Sequence, residues 1–205
     1  MKVLTHDLTN LKRLIRRRIQ SSAGRDEVWD GLLMMSPDPS TEHAVLAGRL
    51  AHILYVSIDP ADVSVISVGG NISDRRVGWT KNFRCPDLMV FLPGNSAEDC
   101  GTHWCGGPDF AIEILSSNDH SRKKFDFYAK VGVREILLVD RKPWRLELFR
   151  LDAGRYARTG VAEARHSVAL TSQTLGLTLR LVSGPSPSRP QIEVTRPVDG
   201  RTWIA

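Results

Sequence analysis

Asp109-Phe110-Ala111-Ile112-Glu113-Ile114-Leu115 is an apolar run broken inside by one carboxylate. Its density is that of a short strand covered on both faces. Downstream, residues 121–131 place Lys124, Phe127, Tyr128 and Val131 at i, i+3, i+4 and i+7, one face of a helix that Gly132 stops. Residues 135–140, centred on Ile136-Leu137-Leu138-Val139, read as a second buried strand.

Upstream, residues 87–92 form a strand opened by Asp87 directly after Pro86, and the Gly-rich residues 93–108 read as loop. Val63, Val65 and Ile66 begin a β region that turns at Gly69-Gly70-Asn71 and leads on to Ile72. A helix over residues 42–57 is capped by Ser40 or Thr41, and residues 27–35 read as a bent strand or strand pair turning at Asp30-Gly31. Beyond the second buried strand, residues 144–151 alternate as a strand, Gly154-Arg155 turns into another around Tyr156, and residues 175–182 end the series. This order predicts an α/β fold, a mixed β-sheet flanked by helices. Three segments follow: residues 1–25, whose positions 7–20 form a basic amphipathic helix; a domain over residues 26–182; and a tail over residues 183–205. Pro185, Pro187 and Pro190 make that tail extended and packed only locally.

A chain of 205 residues, 41% hydrophobic and 25% charged, suits one domain with a small extension. No uncharged apolar run approaches the roughly 18 residues of a membrane span. Three cysteines make no disulfide framework, so a reducing cytoplasm is the expected compartment. The net charge of +5 is uneven: residues 1–25 carry seven basic residues against Asp7 alone, leaving the other 180 residues at −1. Such a segment is a solvated helix face or a phosphate-docking one, and its composition fits both.

Glu113 lies where an unpaired charge faces a desolvation cost of several kcal/mol, so it needs a partner, a metal or a wet cleft. Asp87 precedes it by 26 residues, enough for a strand, a loop and a return that bring both carboxylates to one end of a sheet. Lys124 is the lone charge on an apolar helix stripe, and an inward lysine needs an anion nearby, whereas Lys123 shares a solvated face with Asp126 and Lys130. Two carboxylates suit a hard cation, Mg²⁺ or Mn²⁺. With a lysine beside it, that ion can activate water against a phosphodiester and stabilise the charge that builds on phosphorus. A buried Glu–Lys pair that only keeps a core specific has the same spacing, and at this level both readings stand.

Several blocks together resemble a known family. They are Asp26-Glu27-Val28-Trp29-Asp30-Gly31, Met35-Ser36-Pro37, Glu42-His43, Cys85-Pro86-Asp87-Leu88, Gly106-Gly107-Pro108-Asp109-Phe110 through Glu113, the run from Phe127 through Gly132 to Glu135, and Leu138-Val139-Asp140-Arg141. They are similar to the Uma family of restriction endonucleases, within the wider PD-(D/E)xK nuclease group. The resemblance runs from about Asp26 to Arg150, with weaker similarity to the end. It implies a restriction-endonuclease-like mixed sheet, a metal held by Asp87 and Glu113, DNA as partner and hydrolysis of its phosphodiester bonds. The lysine usual two positions after the glutamate is replaced by Leu115, and the resemblance points to Lys124 on the next helix instead. The serine after this strand is followed by Ser117 where the family has proline.

Glu27, Glu42 and His43 are accessory candidates, the acids for holding a metal-bound water and His43 for contacting phosphate. Asp30 doubles as turn chemistry, and Glu42 as a first-turn acid suited to the helix dipole. Cys100, His103 and Cys105, with Cys85, fit no usual zinc spacing. Trp79, Trp104 and Trp144 are base-stacking candidates or core rim. Two rivals to a nuclease remain: a silent DNA-binding module of the same fold, and an interaction module in which residues 7–20 dock on a partner or a second copy as a homodimer.

Overall fold

The computed structural model describes residues 25–36, 38–59, 61, 65–116, 120–166, 168–186 and 189–205. The basic helix expected over residues 7–20 lies outside them, as do Val63, Ser117 and Pro187. β1 (Glu27–Trp29) and β2 (Leu32–Met34) form a hairpin. Its turn residues Asp30 and Gly31 have φ of 47° and 87°, the mirror-image turn that Asp-Gly favours because it matches strand twist. α1 (Thr41–Ser57) is capped by Ser40, whose hydroxyl accepts the His43 N–H, and it buries Leu46, Ala47, Leu50, Ile53 and Leu54.

β3 (Val65–Val68), β4 (Ile72–Ser73), β5 (Phe83–Arg84) and β6 (Leu88–Phe91) follow. β7 (Glu98–Asp99) and β8 (Trp104–Cys105) are a short pair inside the stretch read as loop. β9 (Phe110–Ile114) leads through a 3-10 turn, Ser121–Lys124, into α2 (Phe125–Val131). Gly132 ends that helix in the left-handed conformation. β10 (Glu135–Arg141), β11 (Trp144–Asp152) and β12 (Arg155–Glu163) come next, then β13 (Leu170–Ser172), β14 (Leu177–Ser186), β15 (Arg189–Arg196) and β16 (Arg201–Ile204).

The central sheet runs β12-β11-β10-β9-β6-β3. Within it, among the described residues, only β9 and β10 pair in parallel, with α2 lying between them in sequence, and Glu113 sits opposite Leu138. All five residues of β9 are buried, as its apolar density requires. Ile112 and Ile114 enter the core shared with α1, while Ala111 enters the other core, with Phe127 and Tyr128 of α2.

A second sheet, β2-β1-β5-β4-β8-β7, meets the first where β5 passes through Cys85-Pro86 into Asp87 and β6. Pro86 has no N–H to give to either ladder, so it suits a point where the chain leaves one sheet and enters another. That junction positions the site.

The expected C-terminal tail differs from what is observed. Residues 183–186 complete β14, and residues 189–196 and 201–204 form β15 and β16 of a third sheet, β13-β14-β15-β16, with Ile192, Val194 and Ala205 in the α1 core. Residues 191–195 alternate half-buried Gln, Glu and Thr with buried Ile and Val, the period of a strand with one covered face. Pro185 and Pro190 are tolerated because they lie inside the register break, Pro185 between Val182 and Ser186 and Pro190 between the facing Arg189 and Gln191, where regular pairing lapses. Among the described residues no helix is long and apolar enough to cross a membrane.

Candidate active site

Glu113, Asp87, Lys124, Glu27, Glu42 and His43 all line one cleft of about 830 Å³ at the junction of the first two sheets. Asp87 reaches it from the mouth of β6. Its Oδ2 accepts the Ile114 N–H at 2.7 Å, which pins the carboxylate one residue from Glu113. Its Oδ1 takes the His43 imidazole Nε2 at 2.9 Å and the Arg25 guanidinium. Burial, and then the charges of Arg25 and Arg141, hold His43 down to about 4, so the ring is neutral near pH 7 and donates its Nε2–H to Asp87.

Lys124 is buried on the face its spacing specified, while Lys123, Asp126 and Lys130 are exposed. Its Nζ lies 2.9 Å from Glu113 Oε1 and 2.8 Å from Glu27 Oε1. Burial acts against the ammonium, but Glu113 and Glu27 outweigh it and keep its pKa above the ordinary lysine value. Lys124 is therefore a fixed positive charge and hydrogen-bond donor. Burial pushes Glu113 up, with Lys124 pulling it back only in part. Glu113 Oε1 also accepts the Tyr128 hydroxyl, and Oε2 accepts from Ser121 Oγ at 3.4 Å.

Glu27 is the accessory candidate that the fold moves to the centre. It is 3% exposed, accepts the Cys85 N–H at 2.9 Å and receives the Trp29 indole N–H at 2.7 Å. Arg84 fixes the hairpin that carries it: its guanidinium is stacked between Trp29 and Phe127 and donates to Val28 O. Glu42 stays at the rim, exposed and 3.2 Å from Arg141. Burial and Glu27 hold the Cys85 thiol up, which disfavours the thiolate a nucleophile needs.

Arg25, Ser121 and Tyr128 join the site without having been named as site residues in the sequence. Tyr128 was visible only as an apolar position on the α2 stripe, and the Arg25 contact crosses elements no local pattern connects. Other candidates go elsewhere. Asp30 serves its turn, Trp79 stacks on His103, and Trp104 stacks on Phe91. Trp144 packs against the α1 core. His103 Nε2 meets the Arg75 carbonyl at 3.1 Å, and the three cysteines are free thiols.

Among the described residues, no three His, Cys, Asp or Glu side chains gather as a ligand set. What faces the cleft is a hard-oxygen pair, Asp87 and Glu113, with Glu113 Oε2 engaged, among the described residues, only by a hydroxyl at 3.4 Å. That donor set fits a cation such as Mg²⁺, which keeps several waters and takes one or two carboxylates plus substrate phosphate.

The comparisons bear on the family and the fold. No curated protein matches the chain. Among solved structures, one from Anabaena variabilis, described as a putative nuclease belonging to DUF820, superposes with a TM-score of 0.58 at 16% identity. The match covers 73% of this chain and 83% of that one, and it shows a shared fold. The family model Uma2, "Putative restriction endonuclease", matches residues 12–182 and so spans the hairpin, the strands and the helix that build the cleft. With most of its length inside that model, the chain belongs to the Uma2 family of putative restriction endonucleases.

Proposed function

We propose that the protein is a Mg²⁺- or Mn²⁺-dependent endonuclease that hydrolyses DNA phosphodiester bonds at the cleft of Asp87, Glu113 and Lys124. The observation that carries this reading is the meeting of those three side chains, from the residue before β6, from β9 and from the turn before α2, in one solvent-connected cleft. Asp87 and Glu113 would hold the cation, which supplies Lewis-acid polarisation of the phosphate and a more acidic water. Lys124, protonated throughout, donates hydrogen bonds and offsets negative charge gathering on the phosphoryl oxygens. Glu27 and Tyr128 orient that ammonium and Glu113 relative to each other. His43 steadies the Asp87 carboxylate through its Nε2–H.

The test is incubation of supercoiled and linear DNA with Mg²⁺ or Mn²⁺. Cleavage by wild type, lost in Asp87→Ala and Glu113→Ala, is the expected result. No cleavage with either ion, or equal cleavage by the variants, overturns it.

One observation favours a second reading, a nuclease fold that binds DNA without turnover. Arg25 already sits on Asp87 Oδ1, where a cation would go. Metal-independent, salt-sensitive DNA binding with no cleavage selects that reading.

A further inference from the structure

Glu113, Leu138 and Glu147 stand opposite one another on β9, β10 and β11. Glu147 is therefore two strand spacings, about 10 Å, from Glu113 in the same row of the sheet. Its carboxylate is buried, with a side chain only 3% exposed, yet three guanidinium groups converge on it. Arg158 Nη1 lies 3.0 Å from Oε1, Arg145 Nη2 lies 3.6 Å from Oε2, and Arg122 donates to Oε2 as well. Their side chains are 56%, 31% and 49% exposed respectively. Asp140, at 3.9 Å from Arg145, is a further acid at the edge. The cluster remains net positive.

One carboxylate does not use three guanidiniums, each with five donors. The buried Arg145 Nε–H has no acceptor among the described residues. Arg122 belongs to both places: it contacts Glu147 and lines the cleft. Pre-arranged guanidiniums with outward N–H groups are the chemistry that grips a phosphate bidentately.

We infer that Arg122, Arg145 and Arg158, gathered on Glu147, form a phosphate-binding platform for the DNA strand, engaging a backbone phosphate beside the one held at the cleft. The inference rests on the reading of the cleft as a phosphodiester site. Glu147 acts as the anchor that fixes the three arginines in advance, so little side-chain entropy is lost when the strand arrives. Backbone contact of this kind orients the strand without reading its sequence.

Fluorescence anisotropy of a labelled DNA duplex, in EDTA and over a series of salt concentrations, tests the platform. Arg145→Gln and Arg158→Gln each weaken binding and reduce the slope of log K against log salt by about 0.9, and together by about 1.8. Arg158→Lys keeps the charge and the slope. Arg122 is left in place so that Glu147 retains a partner, and thermal unfolding checks that each variant is folded. A folded double variant with wild-type affinity and slope overturns the inference. Salt-dependent binding through these arginines without cleavage refutes the hydrolytic reading alone, whereas cleavage with an unchanged slope refutes the platform alone.

Discussion

Glu113 and Glu135 are buried glutamates on neighbouring strands, 4% and 0% exposed, and the fold treats them in opposite ways. Both Glu135 oxygens are taken up by donors from the chain: Arg150 Nε at 2.8 Å and the Gln173 N–H on Oε1, Ser172 Oγ at 2.5 Å and the Thr174 N–H on Oε2. It ties β10 to the turn after β13 and has no spare acceptor facing a cleft. Glu113 shares one ammonium with Glu27, lines the cleft, and keeps Oε2 almost unengaged. Burial alone therefore does not distinguish the two glutamates. The count of donors, and what the leftover oxygen faces, does.

The largest expected effect breaks the comparison if it fails. Asp87→Ala and Glu113→Ala lower DNA cleavage by at least about 100-fold, while a folded Glu135 variant cleaves at a rate near wild type in the same assay. Next comes stability, read by urea unfolding. Glu135→Ala strands Arg150 and three other donors and costs about 3–5 kcal/mol. Glu113→Gln costs less than that, because burial already disfavours its ionised form. Equal losses would make Glu113 a structural residue. Tyr128→Phe removes one hydrogen bond to the same carboxylate and costs about 1.5 kcal/mol in that titration.

The smallest effect concerns Asp74. Hydrogen bonding from Arg75, opposed by burial and reinforced by Lys130, holds its carboxyl well below the usual value of 3.8. A depressed carboxylate contributes stability above its unfolded value and loses it as pH falls through the folded one. Its charged partners are solvent-exposed, so Asp74→Asn costs no more than about 1 kcal/mol at neutral pH and flattens stability only below about pH 4. Urea midpoints across that range measure it.

The sequence carried the central sheet well because β9 and β10 are apolar on both faces and α2 has a clean helical stripe. Lys124 was legible as the one charge on that stripe, and Asp87 as the acid after Pro86. Glu27 stood out less, since its meeting with Lys124 depends on the second sheet folding against the first through Arg84. The C-terminal strands were hidden by Pro185 and Pro190, which signal extended chain unless a register break is foreseen. Short β7 and β8 have only two residues each, too few for any period to register.

Binding of Mn²⁺ followed by electron paramagnetic resonance tests the central claim, that Asp87 and Glu113 act together on one cation. The account predicts one bound ion per wild-type chain and its loss in both Asp87→Asn and Glu113→Gln. Undiminished binding in those folded variants, or no binding by wild type, would contradict it.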